Sequence, residues 1–492
     1  AIIRLFIESN FMIMNEPCDL TAVEARRLIG RKRLSPVELL ESCIARIEMV
    51  NPTINAVVAT CYDRARDEAR TATEALLRGD DLPPLHGLPL GVKDLSNTEG
   101  LRTTYGSPIY ADFVPEKDER IVASLRKAGA IVVGKTNTPE FGAGGNTNNA
   151  VYGATVNPFD TARTAGGSSG GSAAALATGM LPICTGSDTG GSLRRPATYN
   201  GVVALRPTVG LVPSDRRLLG FTNYGTLGPM ARTVGDVALL LSGMAGGDNI
   251  DPLSYPHDVD ALRRIEEIDL GGLRVAVSED LGGAPVDNGL RKVFRDTLAH
   301  YSSVFGSCVD KDPDFTTAND VFWILRGVYF VANQKERYDN HRDQLGPNVL
   351  FNTEAGLKMT VEEIAWAEAE QTRIYRNFQS YFENFDVLIC PGAPVPPFPV
   401  DQRAPEIVNG VKMEHYISAS AISSWLTLTG HPVVALPIGL DATGTPFGIQ
   451  IVGPRHGDRF VMGVAHALEA LLSHNELTRR PIPDIRALAV EA

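Results

Sequence analysis

Two serine-bearing glycine turns bracket one short stretch of small residues. Gly166-Gly-Ser168-Ser-Gly-Gly-Ser172 runs directly into Ala173-Ala-Ala-Leu176, and Asp188-Thr-Gly-Gly-Ser192-Leu-Arg-Arg-Pro196 follows an apolar run at 181–185 that reads as a buried strand. Glycines at such turns let several backbone N–H groups converge on one point, the geometry that stabilises a developing oxyanion, and serine is a natural nucleophile beside it. Ordinary surface loops share this composition. They give no reason for a small-residue helix between the turns, or for a serine directly after two glycines at a strand exit. Lys93 supplies a base: it emerges from the apolar run 88–92, where burial disfavours the ammonium form, and a neutral lysine accepts a proton. Pairing with the adjacent Asp94 is the ordinary structural alternative for this lysine.

Three other patterns point elsewhere and fail on context. Gly129-Ala-Ile-Val-Val-Gly-Lys135-Thr136 matches a phosphate-binding loop letter for letter. The strand lies inside the motif, however, and Asn137-Thr-Pro139 stops a helix from following, so Lys135 is expected to be structural and nucleotide binding is set aside. Gly166–Gly170 matches G-x-S-x-G, but no strand precedes it and no H-G-G-G sequence accompanies it. Among nine histidines, His431 and His456 read as turn residues and His86 stands alone; with no H-E-x-x-H spacing, no metal site is expected.

The elements that must position these residues alternate between helix and strand. Thr21-Ala-Val-Glu24 and Ser35-Pro-Val-Glu38 both match the capping box and start helices, the second with Val37, Leu40, Ile44 and Ile47 on one face. Strands are expected at 55–60, 88–92, 130–133, 181–186, 273–277, 386–390 and 432–436, and helices at 62–77, 119–127, after Gly171, and at 234–244, 320–336 and 360–385. This alternation implies an α/β protein, a parallel or mixed sheet covered by helices on both faces. Residues 279–385, richer in charge and aromatics, are expected to form a peripheral helical layer. Residues 1–13 read as a leader, with Met14 as the native start.

The chain of 492 residues carries a net charge of −12, which argues against a nucleic-acid or anionic-membrane partner. No apolar run approaches the ~20 residues of a membrane span. Six cysteines without a C-x-x-C fit a reducing, cytoplasmic setting.

Taken together, these residues resemble the amidase signature family. The matching segments are Leu85-His-Gly-Leu-Pro-Leu-Gly-Val-Lys-Asp94, Gly134-Lys-Thr-Asn137 with Glu140-Phe141, the two glycine–serine turns, and Gly228-Pro-Met-Ala-Arg-Thr233, with a weaker match at 429–432 and 448–453. The dense part spans 85–235 and the family pattern 14–492. The resemblance implies a single α/β/α domain with a central mixed sheet flanked by helices, and a Ser-cisSer-Lys triad. Carried over by motif, Ser192 is the nucleophile, Ser168 the bridging serine after a cis peptide bond, Lys93 the base, and the backbone amides of Thr189, Gly190, Gly191 and Ser192 the oxyanion hole. It further implies hydrolysis of a carboxylic amide through an acyl-serine intermediate, with aryl amides, carbamates and esters as side activities. No cofactor is required, and the enzyme is expected to work on a small molecule as a monomer or homodimer. The family also includes the glutamine-hydrolysing component of a tRNA-dependent amidotransferase. Two departures weigh against that subgroup: Arg195 stands where it usually has glutamine, and Thr138-Pro139 precede Glu140-Phe141 where Met-Asp is usual. Pocket walls are expected from 142–149, from 218–224, and from Phe322, Trp323, Tyr329 and Phe330.

Overall fold

The computed structural model describes residues 16–490, so the expected leader and Met14 lie outside the described residues. Eleven strands form one sheet: β1 (Val57–Thr60), β2 (Pro89–Lys93), β3 (Ile131–Thr136), β4 (Ile183–Asp188), β5 (Val203–Arg206), β6 (Thr226–Ala231), β7 (Arg274–Val277), β8 (Ser307–Asp310), β9 (Val387–Pro391), β10 (Val433–Leu440) and β11 (Pro446–Val452). Their spatial order is β1-β3-β2-β4-β6-β5-β10-β11-β9-β7-β8. Parallel pairs β3-β2-β4 and β9-β7-β8 lie on either side of an antiparallel centre, so the sheet is mixed.

Side chains alternate across the sheet, and the two apolar cores follow that period. Ile131, Val133, Cys184 and Ala204 join one core with Leu40, Ile44 and Ile47 of the Pro36–Ile54 helix and Ala173–Leu176. Their neighbours Val132, Ile183, Val203 and Leu205 join the other, with the helices Arg120–Lys127, Val234–Met244 and Asp458–Leu472. Burial on both faces explains why the strands read as continuous apolar runs.

The two capping boxes differ. Ser35 and Glu38 satisfy each other's backbone N–H groups, at 3.1 and 2.8 Å. Thr21 accepts from the Glu24 N–H at 3.1 Å, but the Glu24 carboxylate turns instead to Arg27, so that box is only half formed. Most expected elements are present within a few residues. The strands β5, β6 and β11 and the helices Arg194–Asn200, Pro347–Leu357, Ala421–Thr427 and Asp458–Leu472 were not anticipated. Residues 279–385 contain the helices Ala318–Asn340, Pro347–Leu357 and Val361–Asn384 packed together, and also the edge strand β8. No helix among the described residues is long and apolar enough to cross a membrane.

Candidate active site

Parallel pairing of β2 with β4, Leu90 against Ile183 and Gly91 against Cys184, brings their C-terminal ends side by side. β2 ends on Lys93 and β4 on Ser187 and Asp188. In open α/β sheets the carboxyl ends of strands are where ligands bind. The helix Gly170–Ala177 packs against both strands and places Ser168 and Ser169 over the same point.

Lys93 is buried, and its Nζ donates to three hydroxyls: Ser168 Oγ at 2.8 Å, Ser169 Oγ at 2.8 Å and Ser187 Oγ at 2.9 Å. Burial lowers its pKa to about 7, against the opposing pull of the Asp188 carboxylate. Asp94 is not its partner: that carboxylate accepts from the Thr104 N–H and hydroxyl, the latter at 2.6 Å. The Gly167–Ser168 peptide bond is cis. Gly167 is pressed against the neighbouring loop, where an added Cβ would lie 2.8 Å from the Gly144 carbonyl oxygen.

The turn carrying Ser192 is held from beneath by Asp188. Its carboxylate accepts from the Gly191 N–H at 2.9 Å, the Leu193 N–H at 3.0 Å, and both Arg194 and Arg206 guanidinium groups. Burial pushes this carboxyl up, but the two guanidinium groups overcome it and hold the pKa well below the usual range. Gly191 adopts φ +109°, and a Cβ there would lie 2.6 Å from that of Ser423, so glycine is required on both counts. The bond to Asp188 corrects one expectation: the Gly191 N–H is committed and cannot also point into an oxyanion hole. The N–H groups of Thr189, Gly190 and Ser192 donate to no acceptor among the described residues.

Ser168 and Ser192 line the same cavity, of about 190 Å³. The Lys93–Ser168 contact is formed, whereas Ser192 Oγ makes no hydrogen bond among the described residues. The remaining walls match the expected segments in part. Gly142, Gly144, Leu218, Tyr329 and Phe330 line this cavity. Phe322 stacks on Tyr224 in the core with centroids 5.4 Å apart, and Trp323 stacks on His415 at 4.2 Å, so neither contributes. Residues 219 and 221–224 line a second cavity of about 290 Å³, which shares Tyr329 with the first. Arg216, Arg217, Arg326 and Asn333 were not anticipated. Arg326, Tyr329, Phe330 and Asn333 fall at i, i+3, i+4 and i+7 of one helix face, a spacing visible in the sequence.

The remaining candidates have structural roles. Lys135 Nζ donates to the Ser96 carbonyl and, at 3.0 Å, to Thr98 Oγ1. His431 is buried against Phe378 and Phe382, with burial lowering its pKa to about 3. His86 bonds the Ala72 carbonyl at 2.9 Å, and His456 packs on Tyr255. No cluster of three or more His, Cys, Asp or Glu among the described residues is arranged to hold a metal.

Comparison with known proteins places the chain among amidases. The family described as Amidase matches residues 38–462. An acylamidase of Rhodococcus erythropolis is 34% identical, covering 92% of this chain and 95% of its own. A glutamyl-tRNA(Gln) amidotransferase component from Geobacillus kaustophilus is 32% identical over 93% and 98%. The crystal structure of a bacterial aryl acylamidase of the amidase signature enzymes superposes with a TM-score of 0.85, at 27% identity over 92% and 96%.

Proposed function

This chain belongs to the amidase family and hydrolyses carbon–nitrogen bonds of carboxylic amides, and we propose that it does so with Ser192 as nucleophile, Ser168 as bridge and Lys93 as base. The observation that carries this reading is the buried Lys93 Nζ, 2.8 Å from Ser168 Oγ and surrounded by hydroxyls, with no ion pair among the described residues.

Three serine acceptors match the three donors of an ammonium. In neutral lysine one contact must reverse, a hydroxyl donating to the nitrogen lone pair. Ser169 is poorly placed for that, because its hydroxyl is turned to the Ser187 carbonyl at 3.4 Å. Ser168 and Ser187 have no competing acceptor among the described residues, and of the two Ser168 serves as the bridge in this reading: it passes its proton to Nζ and takes the proton of Ser192. Ser192 Oγ attacks the amide carbon, and the oxyanion is received by the N–H groups of Thr189, Gly190 and Ser192. The proton returns through Ser168 to the departing nitrogen, the C–N bond breaks, and an acyl-serine remains. Water then attacks the ester, giving its proton to the same relay, and the carboxylic acid and free Ser192 are released. The Ser168–Ser192 arm closes when substrate is bound, since catalytic hydrogen bonds in an empty site are commonly long.

A small-molecule amide suits the cavity, and the six free cysteines, four of them buried, support a reducing, cytoplasmic setting. We place the enzyme there as a monomer or homodimer. Work as the glutaminase of an amidotransferase is less well supported. Of glutamine's two charged groups the α-carboxylate would meet arginines in this cavity, but among the described residues no carboxylate lines it to receive the α-ammonium group.

A fluorophosphonate should add its mass to the Ser192 peptide and leave a Ser192→Ala enzyme unlabelled. Amide turnover that persists with Ser192 unmodified would overturn the assignment.

A further inference from the structure

The protein as a whole is acidic, with 58 Asp and Glu against 46 Lys and Arg. The cavity at Ser192 has the opposite character: Arg195, Arg216, Arg217 and Arg326 line it, and none of the chain's described carboxylates does. Two of these arginines have counter-charges. Arg216 pairs with Glu119 at 3.6 Å and Arg217 with Asp251 at 3.5 Å.

Arg195 and Arg326 do not. They are 6% and 5% exposed, and neither forms an ion pair among the described residues. Arg195 donates from Nη2 to Ser420 Oγ at 2.5 Å, while its buried Nε has no acceptor. Arg326 donates to Asn352 Oδ1 and to the Tyr416 hydroxyl, both at 2.9 Å, and lies 4.7 Å from the Phe330 ring centroid. Neutral dipoles are the direct partners of both groups, with a ring face beside Arg326; the one carboxylate whose charge reaches Arg195, Asp188, is already paired with Arg194 and Arg206. On both groups Nη1 makes no hydrogen bond among the described residues. A guanidinium withdrawn from water without a counter-ion is costly, and a carboxylate ligand offering charge-assisted bonds offsets that cost.

The position of Arg195 gives the contact its reach. A Cβ on Gly145 would lie 2.3 Å from Arg195 Nη1, and one on Gly191 would lie 3.9 Å from Arg195 Nη2. The guanidinium is therefore threaded between the two glycine loops beside Ser192, in space that Gly145 leaves open. Arg326 enters the same cavity from the Ala318–Asn340 helix.

We propose that this cavity selects amides bearing a carboxylate a few atoms from the scissile bond, held by Arg195 and Arg326. The proposal rests on the amide-hydrolase reading above and adds the substrate's charge to it. The acyl or the amine half of the substrate could carry the carboxylate, and the substrate series separates the two.

Malonanilic, succinanilic and glutaranilic acids test the acyl half against their methyl esters. 4-Acetamidobenzoate tests the amine half against 4-methylacetanilide. In at least one pair kcat/KM for the anion should exceed that for the neutral partner tenfold or more. Arg326→Gln and Arg195→Gln should each cut that ratio severalfold, with Arg326→Lys intermediate because it keeps charge and loses the planar fork. Binding to the full-length Ser192→Ala enzyme, measured by calorimetry with the same pairs, reads selection without turnover and serves if an arginine variant fails to fold. Neutral partners hydrolysed and bound as well as every anion would overturn the proposal while leaving the amidase reading intact. Tight anion binding to Ser192→Ala, with no amide cleaved by the parent, would instead overturn the amidase reading alone.

Discussion

Lys93 and Lys135 leave adjacent parallel strands one register position apart, since Val92 pairs with Lys135 and Lys93 with Thr136. Both are buried, and burial lowers the pKa of each, to about 7 and about 8. They differ in what surrounds them. Lys93 meets three hydroxyls, two of them on serines that line a cavity, and the one carboxylate acting on it, Asp188, is already bound to two arginines. Lys135 meets a carbonyl and a threonine hydroxyl, with the charges of Asp94 and Glu119 acting on it, and leads nowhere. A buried lysine thus becomes a base through its contacts and its access to a cavity, with burial as the common background.

Substitution should separate the two lysines first. Lys93→Ala should lower amide hydrolysis by at least ~10³-fold, and the loss on a matched nitrophenyl ester should be smaller by ~10²-fold, because nitrophenolate leaves without the proton that an amine requires. Equal losses on amide and ester would mean that Lys93 does not serve the leaving group. Lys135→Met should act through the fold, lowering stability by about 1–3 kcal/mol as buried acceptors lose their donor. Denaturant unfolding measures this, and kcat per folded molecule should stay near the parent value. A Lys135→Met enzyme that folds normally yet loses turnover would erase the contrast between the two residues.

Titration gives the next test. Lys93 works as the neutral amine, whose fraction falls as pH drops through its lowered pKa, so kcat/KM should decline below about pH 7 and reach roughly a tenth of its plateau at pH 6. Lys135→Met should keep that acid limb in place. The smallest effect should come from Ser187→Ala, which removes one of three acceptors for the Lys93 ammonium and so disfavours the protonated form. The acid limb should move to lower pH by a few tenths of a unit, about one hydrogen bond's worth shared among three. A limb moving to higher pH would mean that Ser187 stabilises neutral Lys93 instead.

Much of this site was legible because its signals are local. Gly166–Gly170 and Asp188–Ser192 announce themselves through glycine's conformational range and the apolar runs beside them. The false phosphate loop at Gly129–Thr136 could be dismissed because its strand, now β3, lies inside the motif. The expectation that Gly191 contributes to an oxyanion hole fails, since nothing in the order of residues says that Asp188 folds back to claim the Gly191 N–H. Phe322 and Trp323 were placed in the pocket on aromatic character, but the cavity receives the helix face carrying Arg326, Tyr329, Phe330 and Asn333. Phe322, one turn before Arg326, packs behind Gly190 and against Tyr224, while Trp323 turns away onto His415. The strands β5 and β6 passed unnoticed because they are only four and six residues long, the first ending on Arg206 and the second carrying Gly228 and Pro229 within it, too short and broken a pattern to identify.

The sequence alone determined the chemistry available: two serines framed by glycine, a lysine delivered by an apolar strand, and an alternation of elements that commits the chain to a helix-covered parallel or mixed sheet. Those properties rest on backbone freedom and on neighbours a few residues away. Tertiary structure alone decided which serines reach Lys93, which N–H groups stay free, and which charges stand without counter-ions. Arg195 finds Ser420 across 225 residues and Arg326 finds Tyr416 across 90. An electrostatic environment is set by distances in space and by exclusion of water, and neither is encoded at any single position along the chain.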